Sequence, residues 1–336
     1  MSHLEERMEA DLNNIRDWVW KIGEDVEDAL RNAKKTLVLR DEELAYEVIL
    51  GDHPINRASR HCDRMCHQFI ARYLPGAGAL REMASTIRIN VILERIGDYA
   101  VTMCREALQL EKPLPQKFAQ RIDDVTDTAI EILGESRQAF REGNAERAIA
   151  LMQAARRLDA RMDVYYDDLF AKDAELNRTS RTVIFAILTV LKRIGDQSKN
   201  ICDQTVFAVR GIDKLPKVYK ILFLDQPGSD LGQLATAIGR HNFSESIEFT
   251  CAKPGVEEAV SGPLKEFLAE AGLPEDLPDT ERLKMLEHDF DNFTVIISVS
   301  GAYSEYIEKM PFHTSALNWP ISAGGDKAAQ YRDCLL

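Results

Sequence analysis

The sequence predicts a mainly α protein, in which two tandem three-helix bundles precede a small α/β domain with a parallel sheet. Three observations carry this prediction. Pro and Gly are rare across the first two hundred of the 336 residues, where Ala, Leu, Glu, Arg and Met are common. A short helical pattern occurs twice, as ERIGDYAVTMC beginning at Glu94 and as KRIGDQSKNIC beginning at Lys192. After Lys217, short apolar runs alternate with helical stretches, which is typical of a parallel sheet covered by helices.

The two copies of this pattern predict one buried helix in each bundle, because their apolar residues follow the spacing of a helical stripe. Asp98 and Asp196 are 98 positions apart, so the repeat is too long for a solenoid unit and fits a duplicated three-helix bundle. The stripe residues are Ile89, Ile92, Leu93, Ile96, Ala100, Met103 and Ala107 in the first copy, and Ile184, Ile187, Leu191, Ile194 and Ile201 in the second.

Helix-breaking residues divide the helical region. Pro54 predicts a kink or a break in the second helix. The stretch YLPGAGALR predicts a loop before the first signature helix, and KPLPQ separates the two copies. We therefore expect a first bundle over residues 1–112 and a second over residues 113–212.

The remaining residues, 217–336, predict the α/β domain. YKILFLD, SIEFT and FTVIISVS are expected to be strands, since they are short, apolar and rich in β-branched residues. LATAIGR is expected to begin a helix, and VEEAVSGPLKEFLAEAG is expected to form another that stops at Gly272.

Net charge, apolar runs and cysteine content bear on the partners and the location of the protein. The formal net charge of −13 disfavours binding to nucleic acid and simple adsorption to anionic lipid. The first residues are polar and acidic, unlike a signal peptide, and no apolar run is long enough to span a membrane. Six cysteines are few for this length, which suggests reduced thiols and a cytoplasmic location.

The acidic residues of the first signature helix are the strongest site candidates. Glu94 and Asp98 lie four residues apart, so their carboxylates share one helix face, opposite the apolar stripe. Two carboxylates on a largely buried helix need a compensating positive charge. A metal cation could supply it, and so could a neighbouring Arg or Lys.

A second candidate is HCDRMCH, residues 61–67. Its Cys62, Cys66, Asp63 and His67 include ligand types that zinc or iron can use. The two cysteines also continue an apolar stripe with Phe69, and free cysteine is commonly buried, so core packing is the favoured interpretation.

The repeated stretches ERIGDYAVTMCREAL and KRIGDQSKNIC resemble the paired signatures of the PhoU family of phosphate-uptake regulators. AYEVILGDHPIN, LPGAGALR and ARRLDARMD agree in order, and the likeness covers roughly residues 1–212. The resemblance implies two tandem three-helix bundles and metal clusters held by pairs of acids spaced four residues apart. The implied metal is a divalent or iron-type ion (Fe, Zn, Mg or Mn), bound weakly or partially here.

The family's acidic positions are only partly kept. In the first copy Glu94 and Asp98 match, and Asp63 matches on the preceding helix, where Ser59 stands in place of an expected acid. In the second copy Asp196 is kept, but Lys192 replaces the glutamate. Lys192 is expected to pair with Asp196 or with an acid on the adjacent helix, and therefore to weaken metal binding there. The acids of that adjacent helix are Asp159, Asp163 and Asp167.

The α/β region resembles the low-molecular-weight tyrosine phosphatase and arsenate reductase family, in the stretches YKILFLDQPGSDLGQLATAIGR and FDNFTVIISVSGAYSEY. That family needs a nucleophilic cysteine, a phosphate-binding arginine and a general acid. Asp225 stands at the cysteine position and Leu231 at the arginine position, and Asp326 is the nearest acid after Trp319. We therefore expect a catalytically inactive domain, a pseudophosphatase; a plain flavodoxin-like α/β domain is the alternative.

The function expected from these resemblances is a non-enzymatic negative regulator of phosphate uptake and phosphate-starvation signalling. It would bind subunits of the phosphate ABC transporter and a phosphate sensor histidine kinase, form a homodimer, and reach the membrane only through protein partners. Two enzyme alternatives remain. A carboxylate-bridged metal enzyme normally uses histidine, which neither signature helix contains. The second alternative is a phosphatase or reductase in the α/β domain.

Overall fold

The computed structural model describes residues 3–171, 176–213, 218–243, 247–283, 290–308, 314–319 and 331. The chain divides into two compact units, Met1–Lys214 and Leu215–Leu336. The first unit is helical and the second contains a parallel sheet, so the predicted fold class is confirmed at this level. Within the described residues, no helix is both long and apolar enough to cross a bilayer.

Six helices form the first unit, and the three of each half contact one another pairwise. Helices α1 and α4 also pack together across the two halves, as do the signature helices α3 and α6. All residues of the two predicted apolar stripes are buried. The helices are α1 His3–Leu39, α2 Glu42–Tyr73, α3 Ala77–Ala107, α4 Gln116–Arg141, α5 Ala145–Phe170 and α6 Arg178–Arg210.

Of two interruptions that the sequence predicted in the helical unit, the helix break at Pro54 is absent and the loop before α3 is shorter than expected. Helix α2 continues through Pro54, so a break there was wrong. Proline removes one backbone donor, but tertiary packing of the buried residues on both sides of it holds the helix together. The loop predicted at residues 73–81 covers only residues 74–76, and Gly78 and Arg81 already lie in α3.

The second unit has a five-stranded, fully parallel sheet with the strand order β3-β2-β1-β4-β5. Helix α7 packs on β1, β2 and α8. The strands are β1 Tyr219–Leu224, β2 Ile247–Pro254, β3 Glu281–Leu283, β4 Val295–Ser298 and β5 Ser315–Asn318, and the helices are α7 Leu231–Asn242 and α8 Gly262–Ala271.

The sequence located three of these strands and both helices. It placed the start of α8 too early, since residues 256–261 are not helical. Ser261 caps the helix by accepting a hydrogen bond from the backbone N–H of Leu264, and Pro263 is suited to the first turn. The expected end at Gly272 is confirmed by its left-handed backbone, with φ of 67°.

Candidate functional site

The predicted acids of the first repeat lie along the contact between α2 and α3. Asn90, Glu94 and Asp98 follow each other at four-residue steps on α3. Asn90 is fully buried, and its Nδ2 donates to the carbonyl oxygen of Ser59 at 2.8 Å and to Oδ1 of Asp63 at 2.7 Å. Asp63 therefore lies on this face. Ser59, which replaces an expected acid, is buried beside it.

Asp52 and Asn56 extend the same face, and the sequence analysis did not single them out. Oδ2 of Asp52 accepts a hydrogen bond of 2.7 Å from Nδ2 of Asn56. Burial and the nearby negative charge of Asp98 raise the pKa of Asp52, although the Asn56 hydrogen bond and the charges of Arg105 and His53 oppose this shift. Asp52 lies close to α3, since a Cβ at Gly97 would be 3.6 Å from its Oδ1, and its carboxylate is near enough to Asp98 for the two like charges to repel each other.

A spacing signal for these residues was present in the sequence. Asp52, Asn56, Ser59 and Asp63 are separated by four, three and four positions, which is the repeat of one helix face. The expected interruption at Pro54 hid this continuity. We name the surface formed by Asp52, Asn56, Ser59, Asp63, Asn90, Glu94 and Asp98 the α2/α3 polar face.

Three buried oxygens on this face lack a hydrogen-bond donor within the described part of the chain. They are Oδ1 of Asp52, Oδ1 of Asn56 and Oδ1 of Asn90. The side-chain amides of both asparagines already donate to oxygens, which fixes their carbonyl groups as the unsatisfied ends. An unsatisfied buried acceptor costs about 1–3 kcal/mol, and a hard cation coordinated by oxygen would remove that cost.

The donor set fits a weakly held hard cation better than a multinuclear cluster. Glu94 is half-buried and Asp98 is exposed. Among the described residues, no three His, Cys, Asp or Glu side chains are grouped closely enough to hold a metal ion. Coordination here would need the amide oxygens of Asn56 and Asn90 together with the carboxylates. Such all-oxygen sets suit Mg²⁺ or Mn²⁺ and disfavour soft-ligand zinc sites.

The corresponding face of the second repeat differs. Asp196 is about half exposed, and Oδ1 of its carboxylate is 3.1 Å from the ammonium of Lys199, on the next turn of α6. Lys199 is thus a neighbour of Asp196, which was one of the partners expected for the half-buried Lys192. The other expected partners are the acids of the adjacent helix. Asp167 is exposed, and the side chains of Asp159 and Asp163 lie outside the described part of the structure.

The HCDRMCH stretch is a packing element rather than a ligand set. Cys62 and Cys66 are fully buried in the bundle core. A hydrogen bond with Cys62, together with burial, raises the pKa of Cys66 far above its ordinary range, so the thiol stays protonated. His67 is exposed, while the ring of His61 packs edge-on against Trp18 with the centroids 4.8 Å apart.

In the second unit, Asp225 lies buried where β1 ends and the loop to α7 begins. Its carboxylate accepts hydrogen bonds from the backbone N–H groups of Gln226 and Gly232, both at 2.8 Å, and from Oγ of Ser300 at 2.6 Å. A Cβ at Gly232 would lie 2.4 Å from Sγ of Cys251 and 3.0 Å from Cβ of Asp225, so only glycine fits this close approach. Leu231 packs into the core.

A second carboxylate contacts the loop between β1 and α7 from the segment between β2 and α8. Glu258 accepts from the backbone N–H of Gly228, at 3.0 and 3.2 Å to its two oxygens, and from Nζ of Lys253 at 2.6 Å. Lys253 is fully buried and also donates to the carbonyl oxygen of Ser229. The hydrogen bond from Lys253 is the main reason why the pKa of Glu258 lies below its ordinary value. Backbone N–H groups of this loop are thus hydrogen-bonded to two carboxylates of the chain itself, those of Asp225 and Glu258. The predicted acid Asp326 lies outside the described residues.

Comparison with known proteins concerns the helical unit. The PhoU domain family profile matches residues 19–107 and 122–205, one stretch in each repeat. The phosphate-specific transport system accessory protein PhoU of Serratia marcescens is 30% identical over 213 residues, which cover 63% of this chain and 88% of that protein. The protein of the same name from Escherichia coli K12 is 29% identical over the same length. The crystal structure of PhoU from Pseudomonas aeruginosa superimposes with a TM-score of 0.57 at 28% identity, covering 61% of this chain and 99% of that one.

Proposed function

Since the chain belongs to the PhoU family, we propose that it is a non-enzymatic negative regulator of phosphate uptake and of phosphate-starvation signalling. The single observation that carries this proposal is the match of both helical repeats to relatives named as accessory proteins of a phosphate transport system. Accessory proteins act by binding, and the first unit offers long helical surfaces for that purpose.

The partners in this proposal are subunits of a phosphate ABC transporter and a phosphate sensor histidine kinase. The chain would act in the cytoplasm as a homodimer and would reach the membrane only through these proteins. The absence of a membrane-spanning helix among the described residues is compatible with this arrangement.

A divalent cation on the α2/α3 polar face is the second part of the proposal. Asp52, Asp63, Glu94 and Asp98 would supply carboxylate oxygens, and the amides of Asn56 and Asn90 would supply carbonyl oxygens. The cation would contribute positive charge that joins α2 to α3, with no bond made or broken. The three unsatisfied buried oxygens on this face support the idea. Asp159, Asp163, Asp167 and Asp196 would form a weaker site in the second repeat, since Asp196 already has the ammonium of Lys199 beside it.

The third part is that the α/β unit is a degenerate phosphatase-like domain. Two observations support it. A strand leads into a loop and then a helix within a parallel sheet, and the buried carboxylate of Asp225 directly follows that strand, at the position that the sequence resemblance assigns to the cysteine. A buried carboxylate in that place would repel a phosphate dianion, so the unit would serve in binding or stability.

Affinity capture from growing cells tests the regulatory role. The full chain is captured from phosphate-rich and phosphate-poor cultures, beside a chain that ends at residue 213 and a Glu94→Gln, Asp98→Asn double variant. Recovery of transporter ATPase or histidine kinase subunits, dependent on phosphate supply, is the expected result. Failure to recover either subunit in both media, from a chain that is expressed and folded, would overturn the proposal. Phosphate-ester turnover by the full chain that disappears on Asp225→Asn substitution would overturn the non-enzymatic assignment.

A further inference from the structure

A cavity of about 430 Å³ lies between the two helical repeats, away from the α2/α3 polar face. Its walls come from α1 and the start of α3 in the first repeat, and from the ends of α4 and α6 in the second. This volume falls within the range of roughly 300–1,000 Å³ that is typical of small-molecule sites. Because all four helices belong to the first unit, the cavity is formed wholly within it.

Positive charge is concentrated at this cavity although the chain is acidic overall. Four arginines and two glutamates line it, against a net charge of −13 for the whole chain. Both glutamates are already engaged. Glu82 accepts two hydrogen bonds from Arg16, at 2.6 and 3.0 Å, and Glu142 accepts from Arg147 at 3.0 Å. Glu82 thus balances Arg16 within the lining, and Glu142 is committed to Arg147, so neither glutamate neutralises Arg81 or Arg141.

Two of the arginines are held only loosely by the protein. The guanidinium of Arg81 makes a 3.4 Å hydrogen bond to the carbonyl of Ala208, and that of Arg141 is 3.7 Å from the carboxylate of Asp17. These distances exceed the 2.7–2.9 Å of good charge-assisted hydrogen bonds. Arg137, in contrast, is buried and bound to Glu27 and to the carbonyl of Trp20. Arg81 and Arg141 thus keep most of their donor capacity for a ligand.

The remaining lining gives the cavity an apolar part. Val19, Ile89, Phe140 and Val209 contribute hydrocarbon surface, and the ring of Trp20 lies under the guanidinium of Arg141 at 4.4 Å from centroid to Cζ. The N-terminus of α3 adds to the positive field, since Gly76 provides no side-chain cap and the first turn holds no acid. Charged donors beside an apolar wall match an amphiphilic anion better than a bare ion.

We propose that this cavity binds a small organic anion, in which a phosphate or carboxylate group is attached to an apolar body about the size of one aromatic ring. Arg81 and Arg141 contact the oxyanion, and the wall around Phe140 and Val209 covers the apolar body. Because the walls come from both repeats, the bound anion joins the repeats and stabilises their packing. This site is independent of the cation proposed above, since none of its residues belongs to the α2/α3 polar face.

Calorimetric titration of the full chain tests the site with three probes: phenyl phosphate, benzoate and inorganic phosphate. Saturable one-to-one binding of phenyl phosphate or benzoate is expected, with a rise in melting temperature. Inorganic phosphate is expected to bind more weakly because it lacks the apolar body, and the two ring-bearing probes separate a phosphate ligand from a carboxylate ligand. The double variant Arg81→Gln, Arg141→Gln is expected to lose affinity at least about tenfold.

Further variants distinguish the effect of the arginine charges on binding from the effect of the shape of the cavity. Arg57→Gln, Arg64→Gln removes the same charge from exposed positions on α2 and is expected to bind like the wild type. Gly78→Leu keeps every arginine but adds a bulky side chain to the cavity wall, where a Cβ meets no atom within 4 Å; it is expected to weaken binding strongly. Gly51→Leu, at an equally open helical glycine on α2, is its control.

The proposal is overturned if no ring-bearing probe binds saturably at millimolar concentration. It is also overturned if both cavity variants, shown to be folded by their circular dichroism, bind as tightly as their controls. Equal loss of affinity in the cavity variants and in the controls would show nonspecific attraction and would count against the proposal as well.

Discussion

Glu27 on α1 and Arg137 on α4 form a buried ion pair that joins the two helical repeats. Their side chains are only 12% and 5% exposed. Arg137 also donates to the carbonyl of Trp20 at 2.7 Å and stacks over its ring at 4.5 Å. A Cβ at Gly23 would overlap the Arg137 guanidinium, so this glycine makes room for the pair.

Breaking this pair is expected to destabilise the helical unit strongly. Glu27→Leu leaves a buried guanidinium without its carboxylate, which costs about 3–5 kcal/mol. The double variant Glu27→Leu, Arg137→Met removes both charges and is expected to recover most of that loss. Urea denaturation followed by the helical circular dichroism signal measures both. The exposed pair of Lys21 and Asp25 is the control, where Lys21→Gln is expected to change stability only slightly, because solvent screens an exposed ion pair. A loss from Glu27→Leu no larger than in this control would contradict the assigned role.

The two repeats are expected to differ in their affinity for a divalent cation, with the first repeat binding more tightly. Titration with Mn²⁺ should stabilise the wild type by about 2.7 kcal/mol at a hundred times its Kd. Asp52→Asn and Glu94→Gln each remove a proposed oxygen donor and should weaken that effect. Asp196→Asn alters the corresponding second-repeat helix and should leave it nearly unchanged. Tight, equal occupancy of one site in each repeat, measured by metal analysis of the dialysed protein, would contradict this asymmetry.

Each signature helix contains one glycine at the same position of the repeat, Gly97 and Gly195, and substitution by alanine is expected to affect stability differently at the two positions. A Cβ at Gly97 would have its nearest neighbour at 3.6 Å, an ordinary contact, whereas a Cβ at Gly195 would lie 3.1 Å from Leu158. Alanine stabilises a helix interior by about 1 kcal/mol relative to glycine. Gly97→Ala should show most of that gain, while Gly195→Ala should lose it to overpacking. Thermal unfolding of both variants measures the difference, and a larger gain for Gly195→Ala would contradict the packing described.

The carboxylate of Glu258 is expected to make the α/β unit sensitive to acid. Its pKa is lower in the folded protein, mainly through Lys253, so the folded state binds this proton less tightly than the unfolded state. The stabilisation is therefore present above the ordinary glutamate pKa of about 4.3, and is lost as pH falls through the lowered folded value. Glu258→Gln should be less stable than the wild type at pH 7, and the difference should shrink below about pH 4.

Chemical denaturation of both proteins between pH 3 and pH 7 measures this difference in the free energy of unfolding. Trp319, which directly follows β5, serves as the fluorescent reporter of the α/β unit, in chains where Trp18 and Trp20 are changed to Phe. Glu257→Gln, at the neighbouring position, controls for general loss of negative charge. A stability difference between wild type and Glu258→Gln that stays constant over the whole pH range would refute the linkage.

The sequence predicted the helical unit well because its signals are long and periodic. Stripes of five and seven apolar residues leave little doubt about which face is buried, and all of them are buried. Pro54 misled the prediction, since a local breaker was outweighed by packing along a 32-residue helix. That error also hid Asp52 and Asn56, which are recognisable only if the helix continues through the proline.

The α/β unit was harder to predict in detail because its elements are short. The three residues of β3 and the four of β5 carry too little periodicity to be recognised. The contact of Glu258 with Gly228 joins positions 30 residues apart, which no local pattern reveals. The start of α8 was recoverable in principle, since a serine directly before Gly-Pro is a common helix start.

The carboxylate of Glu258 at the amide of Gly228 has a consequence for how the chain could sense its surroundings. A tethered acid acts at an effective concentration that a freely dissolved anion must exceed before it can compete. Ordinary changes in dissolved phosphate would then leave this loop unaltered. A ligand that acts on this loop would first have to displace the carboxylate that the chain itself supplies.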